Sequence, residues 1–332
     1  MQTRPNRGRR ARRDQRRVDR GGAPPSTRGR RVSDDDPEAA DLEGTVTWSE
    51  LLAEATSRFE QAGLESPAID ARRIVEGLTG IEPSEFHSSL DNAATVRGVA
   101  SFDRLVARRE GGEPLQYVVG RWGFRHLDLM VDRRVLIPRP ETEVVAGLAI
   151  EEVVARSGAG REVVVADLGT GSGALGFAIA TECAAARVLA TDRSPDALAV
   201  ARANLAGLGR AAGRVSLHEG SWFDALPMSV RGAIDVLVSN PPYIGDDEEL
   251  PAVVGEWEPL EALRAGPAGD EDLQVIFHGA DEWVAPGGAV VLEMAPDQTA
   301  GIADRFREAG WQASIHGDLA GRDRAVVARK RG

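Results

Sequence analysis

The chain of 332 residues has one cysteine, Cys183, one lysine, Lys330, in a Lys+Arg total of 40, and only 5% aromatic residues. A single cysteine excludes an internal disulfide and a zinc site built on several thiolates, and it fits a reducing, cytoplasmic setting. Long apolar runs are also missing. The longest, from Val163 to Ala180, is interrupted by Asp167, Thr170 and Ser172, so no segment reads as a membrane span. The five histidines (His87, His126, His218, His278 and His316) have no metal-ligand spacing, so surface and packing roles are expected and no metal is. The scarcity of lysine beside so much arginine reads as codon usage, not chemistry.

An apolar fraction of 42% and a charged fraction of 28% are those of a globular protein, and the length suits two domains. The net charge of -12 averages two unlike parts. Residues 1–31 carry twelve Arg against Asp14 and Asp19, a local balance of +10, which leaves -22 for the rest. A body that acidic repels a phosphate backbone, so direct duplex DNA binding is not expected. Residues 1–44 are Arg-, Gly- and Pro-rich, with little to bury, and read as a disordered tail without a signal peptide.

From residue 45 to 112 the pattern is helical. Leu51, Leu52, Ala55, Phe59 and Ala62 recur at helical spacing up to Gly63. Ser66-Pro67 opens a second helix carrying Ile69, Ile74, Val75 and Leu78, and a third spans about Ala94 to Arg109. Residues 113–139 read as a linker in which Leu115 to Ile137 form a β-hairpin. Beyond residue 140, apolar runs at Val163–Asp167, Val188–Asp192, Val215–Glu219, Ile234–Ser239 and Ala289–Met294 alternate with helical stretches at Ala174–Cys183, Pro195–Leu208 and Leu273–Val284. That rhythm predicts an α/β fold with a doubly wound, mostly parallel, Rossmann-like sheet, closed by a hairpin from Trp311–Ile315 and Ala325–Arg329. Cys183 is expected to be buried and inert.

Two motifs carry chemistry. Gly169-Thr170-Gly171-Ser172-Gly173 joins a strand to a helix, where glycines allow a tight turn and close approach of a ligand to a helix N-terminus. With Ala174 it also satisfies a dinucleotide fingerprint, and Asp192 sits where a carboxylate accepts ribose hydroxyls from either kind of adenosine ligand. Asp167, at the strand end, would repel a pyrophosphate and welcome a cationic methionine group. The second motif is Asn240-Pro241-Pro242-Tyr243, directly after a strand. The Asn240 side-chain oxygen and the Pro241 carbonyl can accept two N–H bonds from an amine or amide, orienting its lone pair and stabilising the charge that develops on methylation. Tyr243 offers an aromatic face to a planar group. Exocyclic amines of adenine or cytosine fit the same tetrad, and the acidic body disfavours that alternative.

Together the motifs resemble those of the amino-methyltransferases, and within them the release factor glutamine methyltransferases (PrmC/HemK type). The resemblance extends from about Trp48 to Arg331 and includes Glu113-Pro114-Leu115-Gln116-Tyr117, Leu136-Ile137-Pro138-Arg139-Pro140-Glu141-Thr142-Glu143, Val238 to Ile244, and Glu258 to Leu263. It implies S-adenosylmethionine as cofactor, lined by Gly169, Thr170, Gly171, Ser172, Gly173, Asp192, Trp222 and Asn240. It implies further that Asn240, Pro241, Pro242 and Tyr243 hold the substrate glutamine, with Asn240, Pro241 and Tyr243 as catalytic residues. The substrate implied is the Gly-Gly-Gln glutamine of class I peptide chain release factors, and residues 45–112 would recognise it. Thr142 and Glu143 are expected near the methionine end of the cofactor. The family often has an acidic residue before the tryptophan, whereas this chain has Ser221, a loss of charge assistance of about 1 kcal/mol.

Overall fold

The computed structural model describes residues 46–81 and 84–332. The Arg-rich segment 1–44 and its expected disorder lie outside the described residues. Among these residues no helix is long and apolar enough to cross a membrane.

The first part is helical: α1 (Trp48–Gln61), α2 (Pro67–Thr79), the short α3 (Phe86–Ser89), α4 (Val96–Glu110) and α5 (Leu115–Val119). Thr47 starts α1 with a reciprocal capping box, its hydroxyl accepting from Glu50 N while Glu50 accepts from Thr47 N. Leu51, Ala55, Phe59, Ile74, Val75, Phe102 and Val106 form its core. Arg109 donates to the buried Asp70 at 2.7 Å, and Arg58 grips Glu110 through two bonds of 2.9 and 2.6 Å, so α4 is tied to both α1 and α2.

The stretch expected as one long hairpin is only partly one. Leu115–Val119 is α5, ended by Gly120 at φ 78°, and only β1 (Arg121–Phe124) and β2 (Leu127–Met130) pair. The correction has a packing cause: Leu115 and Val118, three apart, both enter the helical core, and that burial overrides the strand preference of Val118-Val119. The hairpin leans on the later helices. Asn204 of α8 (Pro195–Gly207) accepts from Met130 N at 2.7 Å and donates to Met130 O at 3.0 Å and Ser172 O at 2.9 Å.

After α6 (Pro140–Arg156) the main sheet begins. In chain order its elements are β3 (Val163–Leu168), α7 (Ala174–Glu182), β4 (Ala186–Asp192), α8, β5 (Val215–Glu219) and β6 (Ile234–Ser239). A small parallel pair follows, β7 (Ile244–Gly245) and β8 (Arg264–Gly266), with α9 (Ala252–Trp257) between them. Then come α10 (Glu271–Trp283), β9 (Val284–Glu293), α11 (Thr299–Glu308), β10 (Gln312–Gly317) and β11 (Asp323–Arg329). The seven-stranded sheet runs β10-β11-β9-β6-β3-β4-β5, with only the pairs made by β11 antiparallel. The strands expected at Val215–Glu219 and Ile234–Ser239 occupy those residues, and the closing hairpin is present. Two apolar layers sandwich the sheet, one built on α6 and α7, the other on α10 and α11. Cys183 is buried at the C-cap of α7, where burial pushes its thiol up.

Chain order reverses between β3 and β6: β4 and β5 extend the sheet on one side of β3, β6 and β9 on the other. Such a switch point opens a crevice beyond the strands' carboxyl ends.

Asn204→Ala is expected to lower unfolding free energy by about 1–3 kcal/mol, because it strips partners from Met130 and Ser172. Urea denaturation measures this; a change below about 0.5 kcal/mol would mean that the hairpin is held by other contacts.

Candidate functional site

Strand register assembles the site in one row. Leu168 pairs with both Thr191 and Ser239, and Ser239 pairs with Leu292. The residues that follow, Asp192, Gly169, Asn240 and Glu293, therefore leave four neighbouring strands side by side. Ser239 Oγ donates to Leu168 O at 2.6 Å, reinforcing the central pair where the crevice opens.

A cleft opens above this row, at the carboxyl ends of the strands. Gly169, Thr170, Gly171, Ser172, Asp192 and Trp222 line it on one side, Asn240 and Pro242 on the other. Thr142 and Ser221 also line it, and Pro259, Glu261 and Ala262 close one flank.

The glycine loop is shaped from below. Gly169 and Gly171 adopt φ values of 71° and 55°, and a Cβ on Gly171 would meet nothing within 4 Å, so the loop presents bare backbone to the cleft. Gly173 does not line the cleft. It sits beneath, at φ 93°, where a Cβ would lie 2.1 Å from Phe177 Cε2, and it serves as N-cap of α7. Asp167 differs from its expected place beside the ligand. It is fully buried under the loop, accepting from Thr170 Oγ1 at 2.6 Å and Gly176 N at 2.9 Å, with Oδ1 unpartnered. Burial outweighs those bonds and pushes its carboxyl up to about 6.

Asp192 is aimed by backbone. Its Oδ2 accepts from Gly171 N and its Oδ1 from Ser194 N, both at 2.9 Å, so one carboxylate links the loop to the start of α8. Burial raises its pKa against these two bonds. Trp222 is one of two non-glycine residues with positive φ among the described residues, at 46°. Its ring edge lies over Gly169, so the strained backbone sets an aromatic wall over the loop.

Across the switch point, the tetrad is divided. Asn240 and Pro242 face the cleft, Pro241 is buried, and Tyr243 lines an adjoining cavity with Gln298, whose amide donates to Tyr243 O at 3.1 Å. Burial raises the Tyr243 phenol to about 12, so it stays protonated at neutral pH. Asn240 Nδ2 donates to Thr142 Oγ1 at 3.4 Å. Glu143, expected beside Thr142 near the ligand, instead turns to the hairpin and accepts from Arg125 N at 3.0 Å. Glu258 is buried and accepts from Ile137 N at 3.1 Å and Arg139 at 2.5 Å, tying the segment before α6 to the loop after the tetrad. Glu293, buried at the end of β9 in the same row, is a residue that sequence reasoning did not single out, since no motif marks one acid at a buried strand end.

The crevice, its bare backbone, the Asp192 carboxylate and the aromatic wall fit an adenosine ligand, and the Asn240 amide on the far side can accept from an N–H donor. A family model described as PrmC N-terminal domain matches residues 50–120, and one described as Methyltransferase domain matches residues 160–307. The release factor glutamine methyltransferase of Streptomyces coelicolor is 39% identical over 287 residues, covering 84% of this chain and 96% of that protein. That of Deinococcus radiodurans is 37% identical over 293 residues, covering 85% and 98%. A solved structure of the release-factor-specific protein-(glutamine-N5) methyltransferase from Alicyclobacillus acidocaldarius is 25% identical, with a TM-score of 0.36, over 59% of this chain and 95% of that one. With both halves matched and relatives aligned over nearly their whole length, this chain belongs to the release factor glutamine methyltransferase family.

Proposed function

We propose that the protein methylates the side-chain amide nitrogen (N5) of the glutamine in the Gly-Gly-Gln motif of class I peptide chain release factors. The observation that carries this reading is the row itself: an N–H acceptor, Asn240, stands next to the cofactor loop at one sheet switch point. S-adenosylmethionine supplies an electrophilic methyl group when bound. Gly169 to Gly171 would let it approach the backbone, Asp192 would accept its ribose hydroxyls, and Trp222 would flank the adenine.

An amide nitrogen is a poor nucleophile because its lone pair is delocalised into the carbonyl. Two acceptors on its hydrogens, Asn240 Oδ1 and the Pro241 carbonyl, would rotate the lone pair towards the methyl group. They would also offset the positive charge that grows on nitrogen. Pro241 and Pro242 contribute no backbone N–H, so no donor competes for the substrate nitrogen. Tyr243, neutral and held through its own carbonyl by Gln298, lines the adjoining cavity and would reach the planar amide only from that side.

Purified class I release factor incubated with enzyme and S-adenosylmethionine should gain about 14 Da on one glutamine, as one CH2 requires, read by mass spectrometry of the digest. Methylation of DNA but not of release factor would replace this reading with the nucleic-acid alternative. Asn240→Ala should lower kcat by roughly 10²–10³ while changing cofactor Kd far less. Survival of kcat within a few-fold would remove the amide clamp. Ser221→Asp restores a charged acceptor at the adenine end and should tighten cofactor binding by about fivefold, near 1 kcal/mol, in calorimetric titration. Unchanged or weaker binding would place the adenine elsewhere.

A further inference from the structure

The tetrad is a short turn whose two ends are fixed differently. Ser239, just before it, is held in the sheet by its ladder partners Leu168 and Leu292. Within it, Pro241 and Pro242 have no N–H to give. At its far end, the Tyr243 carbonyl accepts from Gln298 Nε2 at 3.1 Å, and Ile244 N donates to Leu263 O at 3.0 Å. The same Nε2 donates to Gly269 O at 2.9 Å, so both amide hydrogens go to carbonyls. Gln298 Oε1 accepts from Ala295 N at 3.1 Å, which settles the orientation of the amide. Gly269, at φ 76°, lies against the strand that follows the tetrad: a Cβ there would lie 2.8 Å from Gly245 N. One side chain thus ties the tetrad to the loop after β8 and to the exit of β9. Gln298 is itself held at the N-cap of α11, its N–H donating to Ala295 O and its carbonyl accepting from Ile302 N, both at 3.1 Å. Ile302, Ala303 and Phe306 of that helix are buried in one apolar layer of the sheet.

We propose that Gln298 is a positioning residue for methyl transfer: by anchoring the Tyr243 carbonyl it fixes where Asn240 and Pro241 present their acceptors to the substrate amide. The proposal rests on reading the site as an amide-nitrogen methyltransferase. Proline fixes φ at two of the four tetrad positions, so a shift at the Tyr243 end passes back along a stiff turn instead of being absorbed by it. Displacing a reacting group by about 1 Å costs roughly 10²-fold in rate. Gln298, Gly269 and Ala295 do not line the cofactor cleft; Gln298 and Ala295 line the adjoining cavity with Tyr243. Loss of the anchor therefore acts on turnover and not on cofactor affinity. A neutral amide suits the place, with two donors for two carbonyls and an acceptor for Ala295 N. A carboxylate of the same shape sets charge against both carbonyl oxygens and recovers a donor only when protonated.

The test is steady-state kinetics on release factor with wild type, Gln298→Met and Gln298→Glu between about pH 6 and pH 9, with cofactor Kd from calorimetric titration. Gln298→Met nearly keeps the volume and removes every amide hydrogen bond. Its kcat should fall by about tenfold or more, by the same ratio at every pH, with cofactor Kd within about twofold of wild type. Gln298→Glu should be slowest at about pH 9, and its kcat relative to wild type should rise as pH falls, because protonation returns one donor to the facing carbonyls. Those carbonyls and the Glu248, Asp270 and Asp297 carboxylates around the cavity raise the pKa of the introduced carboxyl; Arg305 lowers it, and Tyr243 is uncharged over this range. A side chain that only filled space would leave both ratios flat with pH. A Gln298→Met kcat within about twofold of wild type, a matching loss of cofactor affinity, or a flat ratio for Gln298→Glu overturns the proposal. Should Gln298→Met not fold, Gln298→Glu decides; if neither folds, Gln298 serves the fold and the proposal falls. A wild type that methylates no glutamine overturns the underlying reading and this proposal with it. A fully active wild type with an indifferent Gln298→Met overturns only the proposal.

Discussion

The hydrogen-bonded ladder that holds β3 between β4 and β6 is what everything at the site depends on. It brings residues from four strand ends, distant in sequence, into one row: Asp192, Gly169, Asn240 and Glu293. A register slip of one residue would turn alternate side chains to the other face and separate the cofactor loop from the amide acceptor. The strands resist such a slip because they are buried on both faces, with Val165, Ala166, Val236 and Leu237 all at 0% exposure. Core packing and site geometry are thus one constraint.

Around that ladder, buried polar groups act as fasteners. Asp167 under the loop, Asp192 at its side, Asn204 behind it and Glu258 beyond the tetrad each join segments that sequence separates. Their cost is desolvation, visible in the raised pKa values of Asp167 and Asp192. Backbone N–H donors offset much of that cost at Asp192. Glu293 is the less satisfied carboxyl, with an Oε2 that has no hydrogen-bond partner.

The hairpin joins the apolar layer of the sheet through Phe124 and Leu129, and specific polar contacts add to that packing. Tyr117 of α5 donates to Val135 O at 2.6 Å, within the segment that lines the cleft. Arg125 at the hairpin turn grips Glu182 of α7 through bonds of 2.6 and 2.7 Å. The part of the chain expected to recognise substrate is thereby linked to the floor and wall of the site.

Local pattern alone determined a good deal: the strand-loop-helix around Gly169, the tetrad after β6, and the helical start of the chain. Each rests on short-range rules, such as apolar alternation, glycine at positive φ and proline without an N–H. α5 was illegible because Val118-Val119 prefers a strand locally and is overruled by a core contributed from α1, α2 and α4. Only the tertiary structure decided that Asp167 is a buried fastener and Glu143 a hairpin anchor. It alone set Gly173 under the loop and put Glu293 beside Asn240 at the strand ends. Burial and the partner across a sheet are set by long-range packing, and one side chain in a string of letters does not reveal which carboxylate will keep its water.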